Sequence, residues 1–206
     1  MKKRRSLFIT FEGIEGSGKS TIACRTVRYL RTRGKKVLML REPGGTRIGE
    51  KIRRMVLDKR NGAMVSFTEL LLYNAARAQL VREVIRPALR KGQVVVCDRF
   101  TDSTIAYQCF GGGVNRDLAH RVNTDAAMNM KPDITFIFDC DVKEGLRRSG
   151  RRDRMERKTI AFHRRVQKGF VKIAGEDRKR CVLVQRGLTL TELEHEVKKK
   201  LDAYIT

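Results

Sequence analysis

The sequence has no tryptophan, three prolines and three scattered histidines among 206 residues. Histidines so few and so placed indicate no zinc centre. Five cysteines stand at positions 24, 97, 109, 140 and 181, an odd count without C-x-x-C spacing. That argues against a disulfide framework and for a reducing compartment. Cys97 and Cys140 fall in or beside apolar runs and read as small buried thiols. No apolar run approaches the roughly 20 residues of a membrane span. The basic N-terminal head, MKKRR, has no long apolar stretch behind it, so no secretory leader is expected and the cytoplasm is the expected location.

Positive charge is what the chain has in excess: 46 Lys and Arg against 23 Asp and Glu, a net +23. Such a balance can serve phosphate contacts with nucleic acid or an anionic membrane. Here the cations are spread along the whole chain, which favours a general surface composition, and no nucleic-acid-binding module is recognisable. The densest stretch, residues 147–180, holds fourteen Lys and Arg against four Asp and Glu, an excess suited to a phosphate-rich ligand. With 41% hydrophobic residues the chain is not disordered by composition. Its length suits one core, hence a single domain over 1–206.

Five short apolar runs, Leu7–Phe11, Val37–Leu40, Val94–Cys97, Ile134–Phe138 and Val182–Val184, are separated by long stretches of helical spacing. One helix is expected around Glu69–Arg90, and a last one from Thr191 to about Tyr204 with Thr191 at its cap. Near-continuous apolar strands between helices predict an α/β fold, a parallel sheet covered on both faces. Ligands in such sheets sit beyond the carboxyl ends of the strands. The first run is followed by Glu12 to Ser20, the second by Arg41-Glu42-Pro43-Gly44-Gly45-Thr46, the third by Asp98-Arg99-Phe100 and the fourth by Asp139.

Gly13-Ile14-Glu15-Gly16-Ser17-Gly18-Lys19-Ser20 fits the P-loop pattern G-x-x-x-x-G-K-[ST], and Thr21 follows it. Glycines let successive N–H groups point at phosphate oxygens, and the helix opening near Lys19 adds its positive end. Lys19 would reach the β- and γ-phosphates, and the Ser20 hydroxyl would ligate the Mg²⁺ that accompanies ATP. Asp98, at the end of an apolar strand, is placed as the second metal group, directly or through water.

Five segments in order, FEGIEGSGKST (11–21), REPGGTRIGEKIR (41–53), ELLLYNAARAQLV (69–81), CDRFTDSTIAYQ (97–108) and DRMERKTIAFHRRVQKGF (153–170), resemble thymidylate kinase. The resemblance implies a P-loop NTPase fold, three-layer α/β/α with a five-stranded parallel sheet. It implies transfer of the γ-phosphoryl group of MgATP to dTMP, giving dTDP and ADP in dTTP synthesis, by a homodimer. It places the loop at Glu42 and Pro43 against the sugar and phosphate of dTMP, and Glu15 on the sugar 3′-hydroxyl. Tyr73, where the family usually has Phe, would stack on thymine, and Arg77, four residues on, would bond the base. Arg99 would grip the acceptor phosphate. Ser103, Thr104, Tyr107 and Gln108 would continue the dTMP site along one short helix, with Tyr107 crowding the 2′ position. The basic segment at about 147–157 would be a lid. Its arginine, Arg154 first and Arg151 next, would act on the γ-phosphate, because Gly16 stands where one class of the family carries that arginine. Two departures stand out: Cys109 and Gly112 replace a glycine and an arginine of the bacterial pattern, and Ser149 replaces a common arginine. The competing reading, on charge alone, is a nucleic-acid-stimulated ATPase; no membrane or nucleic-acid partner is expected.

Overall fold

The computed structural model describes residues 6–150 and 153–205. Each apolar run forms a strand: β1 (Leu7–Gly13), β2 (Val37–Arg41), β3 (Val94–Asp98), β4 (Ile134–Phe138) and β5 (Cys181–Val184). All pair in parallel, in the order β2-β3-β1-β4-β5. The helices are α1 (Lys19–Thr32), α2 (Arg47–Leu57), α3 (Ser66–Leu80), α4 (Arg86–Arg90), α5 (Thr101–Thr104), α6 (Arg116–Ala126), α7 (Val142–Ser149), α8 (Ile160–Glu176) and α9 (Leu190–Ile205).

Side chains on a strand alternate between faces, and both faces here are apolar. Leu7, Ile9 and Phe11 pack with Ile22 and Leu30 of α1 and with Val197 and Leu201 of α9. Phe8, Val95 and Cys97 pack on the opposite face with Leu80, Val81, Ile85 and Phe100. Ile137 joins Tyr107, Phe162, Phe170 and Ile173. Full burial of each large apolar side chain contributes about 1.5–3 kcal/mol, so the sheet is a rigid platform.

The chain leaves β1 for the edge strand β2, returns to β3 beside β1, then crosses to β4 on the other side. A crevice opens at such a reversal. Phe11 and Arg41 are both level with Asp98 in the strand register. The P-loop, the Arg41–Thr46 loop and the segment after β3 therefore converge at one edge of the sheet.

Three local expectations change. The helix around Glu69–Arg90 runs through α3, a wide π turn at Val81–Ile85, and α4. The wide turn immediately precedes Pro87, whose ring and missing N–H disrupt regular α bonding to residue 83. Ser103 to Tyr107 likewise pass from α5 into a π turn, Ile105–Gly111. The cap of α9 is Thr189, not Thr191. Thr189 Oγ1 accepts from Glu192 N at 3.3 Å, and Glu192 Oε2 accepts from Thr189 N at 2.7 Å. This is a reciprocal capping box; Thr191 has the same spacing to Glu194 but lies inside the helix, which begins at Leu190.

Candidate active site

The P-loop leaves β1 and enters α1. Gly16 has φ +69°, and a Cβ there would lie 2.0 Å from the carbonyl oxygen of Gly145 on α7. Only glycine fits this crossing, so no arginine can stand at position 16. Lys19 is buried, and its ammonium donates to the Ile14 carbonyl at 3.3 Å. Burial, followed by the charge of Arg99, holds its pKa below the ordinary lysine value. The Ser20 hydroxyl bonds Asp98 Oδ2, while Asp98 Oδ1 is buried without a hydrogen-bond partner. Gly16–Thr21, Asp139–Asp141, Arg148 and residues 185–190 enclose a cavity of about 770 Å³.

A second cavity, of about 250 Å³, lies on the far side of Lys19. Arg99 stands at its floor with φ 73°, a left-handed backbone unusual for a side-chain-bearing residue. One terminal nitrogen of its guanidinium donates to Gly13 O and Ser103 Oγ, both at 3.0 Å. The other donates to Glu15 at 2.9 Å and the Tyr107 hydroxyl at 3.3 Å. The Tyr107 hydroxyl donates to Glu15 at 2.6 Å. Burial opposes ionisation of Glu15, but Arg99 and Lys19 hold its pKa below the usual carboxylate value. Glu42, Pro43, Tyr73, Thr104 and Gln108 also line this cavity. Burial raises the Tyr73 hydroxyl pKa.

Glu12 lies beneath this floor, fully buried. Its carboxyl accepts from Phe100 N at 2.7 Å and Ser103 N at 3.3 Å, and pairs with Ser103 Oγ at 2.5 Å. It thus caps α5 from a distant strand. Burial, and then Asp102, push its pKa from 4.5 up to about 8. A raised carboxyl pKa stabilises the fold fully below the unfolded value of 4.5, and the contribution is lost as pH rises through about 8. Glu12→Gln, which cannot ionise, is expected to flatten the decline in melting temperature between pH 5 and pH 8, about the window these two values bound. A thermal-shift series across that range checks it; an unchanged slope refutes it.

A sequence model of the thymidylate kinase family matches residues 11–197. The chain belongs to the thymidylate kinase family. It is 50% identical over 186 residues to a thymidylate kinase of Geobacter sulfurreducens, covering 86% of this chain and 87% of that protein. It is 41% identical over 209 residues to one from Desulfovibrio desulfuricans, covering 97% and 96%. A crystal structure of thymidylate kinase from Ehrlichia chaffeensis superposes with a TM-score of 0.78 at 37% identity, over 95% of this chain and 98% of the other. The chain has the P-loop NTPase fold of the family, and the reaction is phosphoryl transfer from ATP to dTMP, giving dTDP.

Two residues given roles by the thymidylate kinase resemblance, Arg77 and Arg154, are buried and bonded within the fold. Arg77 is 2% exposed, and all its N–H groups are taken by the protein. Nε donates to Glu42 at 2.9 Å, one terminal nitrogen to Asn74 and Asn123, and the other to Phe100 O and Thr104. It also lines the second cavity. Glu42 Oε1, in contrast, is buried without a hydrogen-bond partner. Arg154 is 5% exposed and bonds Glu69 at 2.6 Å and Val56 O at 2.8 Å, well inside the fold. These bonds tie the segment after α7 to Val56 and Glu69. Arg151 lies outside the described residues.

Three residues of this thymidylate kinase site were not assigned roles from sequence. Arg148, held by Glu144 at 2.9 Å, donates to the Gly16 carbonyl at 3.5 Å and lines the P-loop cavity. Its position among several arginines of one helix was the available signal. Arg53 lines the second cavity and donates to Pro43 O at 3.0 Å; it ends the REPGGTRIGEKIR segment. Asn123 bonds Arg77 at 2.8 Å from α6, which no local pattern could indicate.

Proposed function

We propose that the two cavities hold the two nucleotides of one in-line transfer: ATP on Gly13–Thr21, and dTMP between Glu42–Pro43, Tyr73 and Arg99. The observation that carries this is that the two linings share Lys19 and Ser20. A γ-phosphate set against Lys19 therefore faces an acceptor phosphate gripped by Arg99. The acceptor oxygen is already anionic and needs no general base. Lys19 and Arg99 stabilise the charge shared by attacking and leaving oxygens. Tyr73 offers a π-face to thymine, Glu15 a carboxylate to the 3′-hydroxyl, and Tyr107 bulk at the 2′ position. Arg77 acts through Glu42 and Thr104, which it orients. Arg148 supplies the lid arginine at the P-loop, and the segment at about 147–157 is the lid of a single domain.

Ser20 and Asp98 fit a magnesium ion. They place two hard oxygen donors side by side, and the buried Asp98 Oδ1 has no protein partner. A two-donor set suits Mg²⁺, which takes its other ligands from water and phosphate. When bound, the ion neutralises charge on the β- and γ-phosphate oxygens.

An ADP-release assay with MgATP against dTMP, dUMP, dCMP, dGMP, UMP and no acceptor tests this reading. A dTMP-dependent rate is expected, and Asp98→Asn should raise the Mg²⁺ concentration needed for half-maximal rate about tenfold. Absence of an acceptor-dependent rate, with hydrolysis rising on added DNA, would instead support the nucleic-acid ATPase.

We also propose a cytoplasmic homodimer. Ile48 and Met55 on α2 and Phe67 and Leu71 on α3 are exposed apolar side chains on two helices that pack together beside the site. Among the described residues no helix is long and apolar enough to cross a membrane, and all five cysteines are free thiols. Sedimentation at micromolar concentration should show a dimer, and Leu71→Glu with Met55→Glu a monomer; an unchanged mass in the double variant places the interface elsewhere.

A further inference from the structure

His163 lies on α8, within the 153–170 segment but given no role there, and is fully buried. Its Nδ1 is 3.7 Å from Glu15 Oε2. Glu15 is thus approached from three separate elements: Arg99 after β3, Tyr107 from the π turn, and His163 from α8. The imidazole is held in place. Phe162 meets it edge-on at 5.4 Å between centroids, and the same Phe162 ring packs against Tyr107 at 6.2 Å. The segment ahead of α8 is pinned by Arg154 and Lys158, both on Glu69 Oε1, at 2.6 and 2.9 Å. Helix α8 is tied to the Tyr107 segment by the Arg165 side chain, which donates to Gly111 O at 2.8 Å.

We propose that His163 is a positioning residue that couples helix α8 to the Glu15 carboxylate, fixing the rotamer in which Glu15 meets the acceptor sugar. The inference rests on the reading that Glu15 bonds the 3′-hydroxyl of dTMP. A contact of 3.7 Å is longer than a hydrogen bond, and active-site contacts of this kind tighten when substrate is engaged. A small shift of α8 would close that gap and leave Glu15 one orientation. Glu15 belongs to the P-loop and also lines the dTMP-side cavity, so the imidazole is placed to link α8 with alignment of the acceptor. His163 itself lines neither cavity.

The test compares dTMP with its 3′-deoxy analogue. His163→Phe keeps bulk but has no ring nitrogen, and should raise KM for dTMP about tenfold with kcat and KM for ATP within about twofold. KM for the 3′-deoxy analogue should not change. His163→Asn, whose amide nitrogen can occupy the place of Nδ1, should restore most of the loss; His163→Leu replaces the Phe variant if that one does not fold. Combining His163→Phe with Glu15→Gln should be no worse than Glu15→Gln alone. Equal losses on both acceptors, an Asn variant as poor as Phe, or additive effects in the double variant overturn the proposal and leave His163 a packing residue. If Glu15→Gln itself treats the two acceptors alike, the reading of Glu15 falls and the inference with it. If Glu15→Gln discriminates and His163→Phe does not, the inference alone falls.

Discussion

Arg99→Ala is expected to lower dTMP-dependent turnover by about 10³-fold, within the range seen when a charge-stabilising donor or arginine is removed from a transfer site. The geometry explains why so much rests on one side chain. Its fork is oriented by Gly13 O, Ser103, Glu15 and Tyr107 before any substrate arrives. Its backbone is held at φ 73° by an N–H bond to Phe11 O at 2.9 Å. Preorganised donors of this kind stabilise the transition state without reorganisation during the reaction. Removal also strips Glu15 of its ion pair. Arg99→Lys should lose about 10²-fold, because a single ammonium cannot reproduce a planar fork with four contacts. Steady-state kinetics on dTMP, with ATP binding measured separately, checks both. Turnover within tenfold of the parent enzyme in Arg99→Ala would remove Arg99 from the chemistry.

The second large effect separates two arginines that look alike in sequence. Arg148→Ala should lower kcat by about 10²–10³-fold, as loss of a charge-stabilising arginine does, with little change in thermal stability. Its guanidinium is half exposed and touches the P-loop only at Gly16 O. Arg154→Ala should behave in the opposite way. It would leave Glu69, 0% exposed, with one cation fewer, and a broken buried pair costs about 3–5 kcal/mol. For a chain of this length that is a fall of about 10 °C in melting temperature. The remaining folded enzyme should keep most of its kcat. Arg151→Ala provides the comparison. If it, and not Arg148→Ala, abolishes turnover at unchanged stability, the lid arginine is Arg151; if Arg154→Ala does so, the anchor reading of Arg154 is wrong.

These two arginines mark where local pattern stops being informative. The five strands were legible because a sheet covered on both faces needs apolar residues at consecutive positions, and the runs at Leu7, Val37, Val94, Ile134 and Val182 show that pattern. The P-loop was legible because its function depends on backbone, and glycine spacing encodes backbone directly. Spacing alone does not choose the cap of α9, because Thr191 and Glu194 offer the same capping-box pattern as Thr189 and Glu192, and the helix begins at Leu190.

Sequence by itself determined which segments form strands, the glycine pattern of the phosphate cradle, and the collection of polar residues at one end of the sheet. It did so because hydrophobic period and glycine placement are properties of neighbouring residues. Tertiary structure alone decided which charges remain available to a ligand. Arg77 is saturated with the help of Glu42, Asn123, Phe100 and Thr104, and Arg154 is held by Glu69 and Val56, all brought from distant parts of the chain. Gly16 is barred from carrying an arginine by the backbone of Gly145. A buried guanidinium must fill its five donors with whatever the fold brings near, and that identity is set by packing across the sheet.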